Sequence, residues 1–285
     1  MWVLTEKRRI LRDADAVVIS VPKCGRTWLR VMANKYFSIR YGVPFELGDM
    51  GRLDSRVPSI IYTHERWEHT TDVTWSGFLS RRYLIPDRVL SRKKVVVLYR
   101  DPRDVEVSLF FQVTRRNERR PRAGMDMAAF LRDRRYGIEK VVRMMNLWRR
   151  RFRDHPACLW LSYEEMKADP RGALAKFLEF VGEKDPRRGA VEEAVDFSRF
   201  ENMRRMEAEK EFQGKILRPA DPSDPDSFKV RKGKVGGHVD HFSPEDRRYA
   251  ARALSALDPF YGYGDARAGG RGDGDRTLAP RKAGE

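Results

Sequence analysis

The stretch Val17-Val18-Ile19-Ser20-Val21-Pro22-Lys23-Cys24-Gly25-Arg26-Thr27-Trp28 decides the fold of this 285-residue chain. Its first five residues are apolar or small, which suits a strand buried on both faces of a parallel sheet. A Lys/Gly/Thr loop follows, and Leu29, Met32, Ala33, Tyr36 and Phe37 then recur at helical spacing. A strand entering a helix this way aims backbone N–H groups and the positive end of the helix dipole at one point, where a phosphate binds. Gly25 lets the backbone come close, Lys23 brings a point charge and Thr27 a hydroxyl. The plain alternative is an ordinary strand-to-helix turn that holds a lysine. The loop is not a Walker A sequence, because GxxxxGK(S/T) puts its lysine directly before the Ser/Thr, whereas Lys23 precedes the glycine.

A second apolar run, Lys94-Val95-Val96-Val97-Leu98-Tyr99, delivers Arg100 to a strand's C-terminal end, the side on which open α/β sheets bind ligands. Asp101 is placed as an N-cap, Pro102 at the first helical position and Ser108 two turns into the helix. Arg100 can grip a phosphate with its planar fork, and Ser108 adds a donor. The segments PKCGRTW (22–28) and YRDPRDVEVSLFF (99–111) resemble two motifs of the sulfotransferases that use 3′-phosphoadenosine 5′-phosphosulfate (PAPS). These are the phosphosulfate loop PKSGTTW and the 3′-phosphate motif near YRNPKDVAVSYY.

The resemblance continues in four further segments. Tyr62-Thr63-His64 is similar to KTH and implies that His64 is the general base. Leu159 to Lys167 is similar to LxYEDMK and implies that Tyr163 lies against the adenine. Ser198-Arg199-Phe200-Glu201-Asn202-Met203 is similar to TSFKEM and implies that Ser198 and Phe200 contact the nucleotide. Arg231-Lys232-Gly233, with Gly236 and His241-Phe242, resembles RKGxxGxWxxxF, a loop that closes over the 3′-phosphate. The same resemblance assigns Lys23, Cys24, Gly25, Arg26 and Thr27 to the donor's phosphosulfate, Trp28 to the adenine, and Arg100 and Ser108 to the 3′-phosphate. Lys23 would also neutralise charge growing on the bridging oxygen as 3′,5′-ADP leaves. Departures from the pattern are Tyr62 in place of a lysine, Cys24 and Arg26 in place of Ser and Thr, and Gly237-His238 in place of Asp-Trp. A KxxxTVxxxE dimer motif is missing near Val235–Glu245, which leaves the oligomeric state open.

The expected fold class is α/β, a single P-loop-like domain with a central parallel sheet flanked by helices, spanning 1–263. Strands are expected near 16–21, 59–63, 94–99 and 157–162, and helices near 27–41, 102–112, 126–152 and 171–181. A last helix starts at a capped Ser243-Pro244-Glu245-Asp246. Two irregular stretches, 113–125 and 212–230, are expected to flank the acceptor pocket as lids. Residues 264–285 are Gly/Arg/Asp-rich without core formers and are expected to be disordered.

Cys24 and Cys158 cannot make a disulfide framework, and the N-terminus lacks an apolar leader. No run nears the roughly 18 apolar residues of a membrane span, so a cytoplasmic and prokaryotic enzyme is expected. His238 and His241 have no partners at a recognised metal spacing, and no metal is expected. With 58 Lys+Arg against 42 Asp+Glu, the formal charge of +16 attracts polyanions. The arginines at 115, 116, 119, 120 and 122, and those at 149, 150, 151 and 153, read as solvated faces or as a field drawing in a charged nucleotide. No helix-turn-helix, zinc-finger or RNP pattern supports specific nucleic-acid recognition. Two alternatives remain at this stage. One is a P-loop nucleotide kinase, which needs Mg²⁺ ligands that are not evident; the other is a basic nucleotide- or polyanion-binding protein without chemistry. For a sulfotransferase the acceptor is a hydroxyl, or an amine, on a small molecule, glycan or lipid, and the sequence does not choose among them.

Overall fold

A computed structural model of the protein describes residues 12–64, 67, 85–116, 123–209 and 217–264. Four strands form one sheet: β1 (Ala16–Ser20), β2 (Ile60–Thr63), β3 (Lys94–Tyr99) and β4 (Cys158–Ser162). Their order is β2-β1-β3-β4, and every pairing is parallel. All five residues of β1 are buried, as are Val95 to Leu98 of β3, because helices cover both faces of these two central strands.

Parallel register carries all four strand ends to one edge of the sheet. Ile19 lies opposite Thr63 and Val97, and Tyr99 lies opposite Ser162. The residues that come next are therefore set along that edge in the order His64, the Pro22–Thr27 loop, Arg100, Tyr163. Helix α1 (Arg26–Tyr41) follows β1, buries Leu29, Met32, Ala33, Tyr36 and Phe37, and stops at Gly42 in the left-handed region. Helix α2 (Pro102–Phe111) follows β3.

The segment expected as one helix over 126–152 is two, Met127–Leu131 and α3 (Ile138–Phe152). Between them the Asp133 side chain accepts the N–H groups of Arg135 and Tyr136, and the Gly137 N–H turns back to the Asp133 carbonyl at 2.7 Å. A side chain that bonds nearby backbone in this way competes with the helix ladder and ends it. The stretch 113–125, expected as irregular, begins as a continuation of α2 in a wider π turn through Arg116; residues 117–122 lie outside the described residues. Four helices among the described residues were not foreseen: the single turn Asp87–Leu90, α4 (Tyr163–Ala168), α5 (Arg188–Phe197) and α6 (Phe200–Ala208). Short helices between strong motifs have few apolar repeats to announce them. The expected tail falls outside the described residues apart from Gly264. No helix among the described residues is long and apolar enough to cross a membrane.

Candidate active site

The C-terminal edge of the sheet opens into a cleft of about 1330 Å³, part of it open to solvent, lined from the ends of β1, β2, β3 and β4 and from the late loop 229–241. Helix α1 enters it without a side-chain cap and with no acidic residue in its first turn. Its first N–H groups, which a helix cannot satisfy from within, are left for a ligand. Gly25 sits at φ +86°, and a Cβ there would lie 2.8 Å from Tyr163 Cδ2 and 2.8 Å from Met166 Cε. Only glycine lets the loop pass that close to α4. Lys23 also adopts a left-handed backbone, at φ +76°, a conformation that costs a non-glycine residue about 1–2 kcal/mol.

Burial, then the charge of Arg116, pulls the Lys23 ammonium down from its ordinary 10.5 to about 7. Bringing an anion to it restores the charge. Cys24 is set apart from its neighbours. Its side chain is fully buried in the core and does not line the cleft, and burial pushes its thiol well up.

Arg100, at the end of β3, ties three segments together. Its Nη1 donates to the Lys23 carbonyl at 3.3 Å, and its Nη2 to the Lys234 carbonyl at 2.7 Å and to Asp104 at 3.3 Å. The guanidinium lies 4.1 Å over the Tyr163 ring, and its Nε is buried without a hydrogen-bond partner. Asp104, one turn along α2, accepts the Gly236 N–H at 2.8 Å, the His238 N–H at 3.0 Å and His238 Nδ1 at 3.1 Å. Burial alone would raise the Asp104 carboxyl, but the bonds from His238 and the charge of Arg100 outweigh it and hold the group below its ordinary value. Asp104 thus pins the late loop to α2, a role that its place four residues after Arg100 signals only weakly. Ser108 lines the cleft one turn further on. Arg231 stacks 3.9 Å over Phe111, and its Nη1, 3.6 Å from Asp226, makes no hydrogen bond.

An aromatic wall lines the cleft next to Arg100. Trp28 meets Tyr163 edge-on at 5.9 Å and donates its indole N–H to Ser198 Oγ at 3.3 Å. Gly233, at φ +60°, brings the late loop close to Phe200, 3.2 Å from where its Cβ would stand, and near the Tyr163 hydroxyl. Lys232 lines the cleft as well.

His64 follows β2. Its Nδ1 lies 2.9 Å from the Ser20 carbonyl. A carbonyl only accepts, so Nδ1 carries the proton and Nε2 keeps the lone pair. Burial, then the charge of Arg26, drives the imidazole well below its ordinary 6.5, and it is neutral at pH 7. Glu65, the neighbouring carboxylate, lies outside the described residues. Arg26, Arg116 and Lys229 line the same cleft, and Arg30 stacks 4.2 Å over Tyr62. Sequence reasoning left Arg116 inside a surface cluster and did not single out Lys229. Arg116 donates to the Arg218 carbonyl at 3.2 Å, so the described parts of the two expected lid stretches touch. Among the described residues, no group of three or more His, Cys, Asp or Glu is placed to hold a metal ion.

A parallel α/β sheet whose C-terminal edge carries an uncapped helix N-terminus, a buried arginine with an unpartnered Nε and an aromatic wall has the architecture of a P-loop-like fold. The family model described as a sulfotransferase domain matches residues 13–256. The chain belongs to this family, and it is a PAPS-dependent sulfotransferase. It is 28% identical over 255 residues to cytosolic sulfotransferase 7 of Arabidopsis thaliana, covering 82% of this chain and 76% of that one. It is 22% identical over 262 residues to the flavonol 4′-sulfotransferase of Flaveria chlorifolia, covering 85% and 78%. Among solved structures, mouse sulfotransferase SULT7A1 complexed with PAP superposes with a TM-score of 0.57 at 22% identity, covering 85% of this chain and 83% of the mouse one. Retinol dehydratase in complex with androsterone and the inactive cofactor PAP does so at 0.56 and 20% identity, covering 85% and 79%.

Proposed function

We propose that the cleft moves the sulfonate of PAPS onto a hydroxyl of a small-molecule acceptor, with His64 as general base and Lys23 as the charge that assists departure. The residues fit the donor. The α1 N-terminus and Gly25 offer an anion cradle, and Arg100 Nε and Arg231 Nη1 are buried donors that lack a hydrogen bond. Trp28, Tyr163 and Phe200 offer faces for an adenine. PAPS supplies an activated sulfonate and leaves as 3′,5′-ADP.

The observation that carries the assignment of the base is the Nδ1 bond to Ser20, because it fixes the tautomer with Nε2 free. His64 takes the acceptor's hydroxyl proton on Nε2 as that oxygen bonds to sulfur and the bond from sulfur to the bridging oxygen breaks. Its low proton affinity keeps it in the base form throughout the neutral range. Lys23, recharged by the donor, faces the negative charge that builds on the leaving phosphate, and the α1 N–H groups share it.

Replacing His64 with Ala tests the assignment. Turnover with radiolabelled PAPS is expected to fall by about 10²–10⁴, while 3′,5′-ADP binding measured by calorimetry stays near wild type. Retention of more than about a tenth of the wild-type kcat would place the base elsewhere.

A further inference from the structure

The 3₁₀ turn Gly237–Asp240 of the late loop is pinned to α2, because Asp104 accepts the N–H groups of Gly236 and His238. The His241 N–H closes that turn on the His238 carbonyl at 3.0 Å. His241 is thereby fixed against α2, where its ring meets Phe111 edge-on at 5.4 Å. Arg231, from near the start of the same loop, stacks 3.9 Å over the same Phe111 ring. Two groups that carry positive charge, or can acquire it, thus converge on one aromatic side chain. Both line the cleft, as do Arg100 and Ser108.

The His241 imidazole makes no hydrogen bond with a described residue, so nothing in the described fold uses its nitrogens. Burial, then the charges of Arg231 and Lys232, holds it below its ordinary 6.5, and Asp240 and Asp226 do not outweigh them. The carboxylate that α2 turns to the cleft, Asp104, is committed to Arg100 and to the turn. A dianion arriving here changes both conditions: it offsets the neighbouring cations, and it supplies the acceptor that an imidazolium N–H needs.

We propose that His241 is a further residue of the donor site, an imidazole that takes up a proton as the 3′-phosphate binds and then holds that phosphate with Arg231 and Ser108. This rests on the sulfotransferase reading of the same cleft. Arg100 and Arg231 stay charged across the neutral range, so their grip on the phosphate does not change with pH. A histidine makes part of that grip depend on protons. The dependence has a definite sign. Binding raises the proton affinity of the imidazole, so the added affinity is full at low pH and fades as pH rises through the pKa of the bound form. PAPS and 3′,5′-ADP carry the same 3′-phosphate, so donor and product feel it alike.

Replacing His241 with Gln, which keeps a neutral donor and removes the charge, tests it. Calorimetry gives the affinities of 3′,5′-ADP and 5′-AMP for each protein, and their ratio isolates the 3′-phosphate, because Lys23 and the 5′-phosphate are common to both titrations. At pH 6.5 the wild-type ratio is expected to exceed that of His241→Gln by about tenfold, the weight of one charge-assisted bond. At pH 8.5 the two ratios should agree within about threefold. The pair of His238 with Asp104 is present in both proteins, so a pH dependence that arises there cancels. The imidazole resonance that His241→Gln lacks is followed by NMR through the same range. Its midpoint should rise by at least about one pH unit on adding 3′,5′-ADP and stay in place on adding 5′-AMP. Equal ratios in the two proteins at pH 6.5, a deficit that persists unchanged at pH 8.5, or a midpoint that 3′,5′-ADP leaves in place would overturn the inference; the second of these would mean that His241 only supports Phe111. Failure of both nucleotides to bind the wild-type enzyme would instead sink the donor site, so the two failures stay distinct.

Discussion

At the β1–α1 junction the helix starts on Gly25 with no side-chain cap, whereas at the β3–α2 junction Asp101 accepts the Arg103 N–H at 2.9 Å and Pro102 fills the first helical position. The β4–α4 junction is closed as well, by a reciprocal capping box between Ser162 and Glu165. A cap stabilises a helix by about 1 kcal/mol, and α1 forgoes it while Lys23 also holds a left-handed backbone. The first junction therefore keeps its N–H groups for a ligand. At the second, Pro102 has no N–H and Asp101 takes that of Arg103, so the proposed recognition of the 3′-phosphate falls to side chains, Arg100 ahead of the helix and Ser108 two turns into it. On the proposed reading, one edge of one sheet holds phosphate in two ways, by backbone in an open turn and by side chains around a closed one.

Substitutions at the open junction should act on chemistry, and those at the closed one on affinity. Lys23→Met is expected to lower kcat by about 10²–10³, the usual cost of removing one donor from developing charge, with a smaller loss of 3′,5′-ADP affinity. Single-turnover measurements check this. A kcat within tenfold of wild type would move the charge role to Arg26 and remove the chemical distinction between the junctions. Arg100→Ala should weaken 3′,5′-ADP by about 10²-fold and 5′-AMP hardly at all, since charge-assisted bonds to the 3′-phosphate contribute roughly 1.5–3 kcal/mol each. Equal losses for the two nucleotides would show that Arg100 serves only to tie the Lys23 and Lys234 carbonyls together.

The sequence disclosed these two junctions to different depths. Strand positions were legible because Val17–Ile19 and Val95–Leu98 are short, β-branched-rich apolar runs that suit a strand buried on both faces. Gly25 and Arg100 were legible because a Lys-x-Gly turn after one apolar run and an arginine ahead of a capped helix after another each match a motif of the family. The left-handed Lys23 was not, since nothing in a lysine's identity announces a positive φ. Asp104 was hidden for a related reason: its partners at Gly236 and His238 are more than 130 residues away, and no local period reports a long-range hydrogen bond. Cys24 counted as a loop residue by position, yet alternation within the turn sends its side chain into the core. Arg116 looked like one of a surface run, and only the π turn that extends α2 brings it into the cleft.

A smaller effect sharpens the contrast from the stability side. Asp101→Ala removes the cap of α2, and the ion pair in which Asp101 accepts from Arg103 at 2.6 Å goes with it. Chemical denaturation should show a loss of about 1 kcal/mol, up to roughly 2, with 3′,5′-ADP affinity within about threefold of wild type. A large loss of affinity at unchanged stability would mean that the closed junction, too, presents its backbone to the ligand.

The last test reads the open junction through protons. In the free protein Lys23 is pulled from 10.5 to about 7, by burial first and by Arg116 next. Between those values the unfolded chain binds more protons at this site than the native one, so the site favours the native state increasingly as pH rises from about 7 toward 10.5. That contribution is lost as pH falls back toward 7. A bound anion reverses the perturbation by stabilising the ammonium, so binding 3′,5′-ADP at pH 8 should draw a proton from solution. Calorimetry in two buffers of different ionisation enthalpy measures the uptake directly, and a value between about half and one proton is expected from a group half-titrated near pH 7. Arg100→Ala should leave the uptake in place wherever binding is still measurable, whereas Lys23→Met should abolish most of it. Full uptake in Lys23→Met would assign the proton to Lys229, which burial also drives well below its ordinary value, and would shift the titrating group from the open junction to the acceptor side of the cleft.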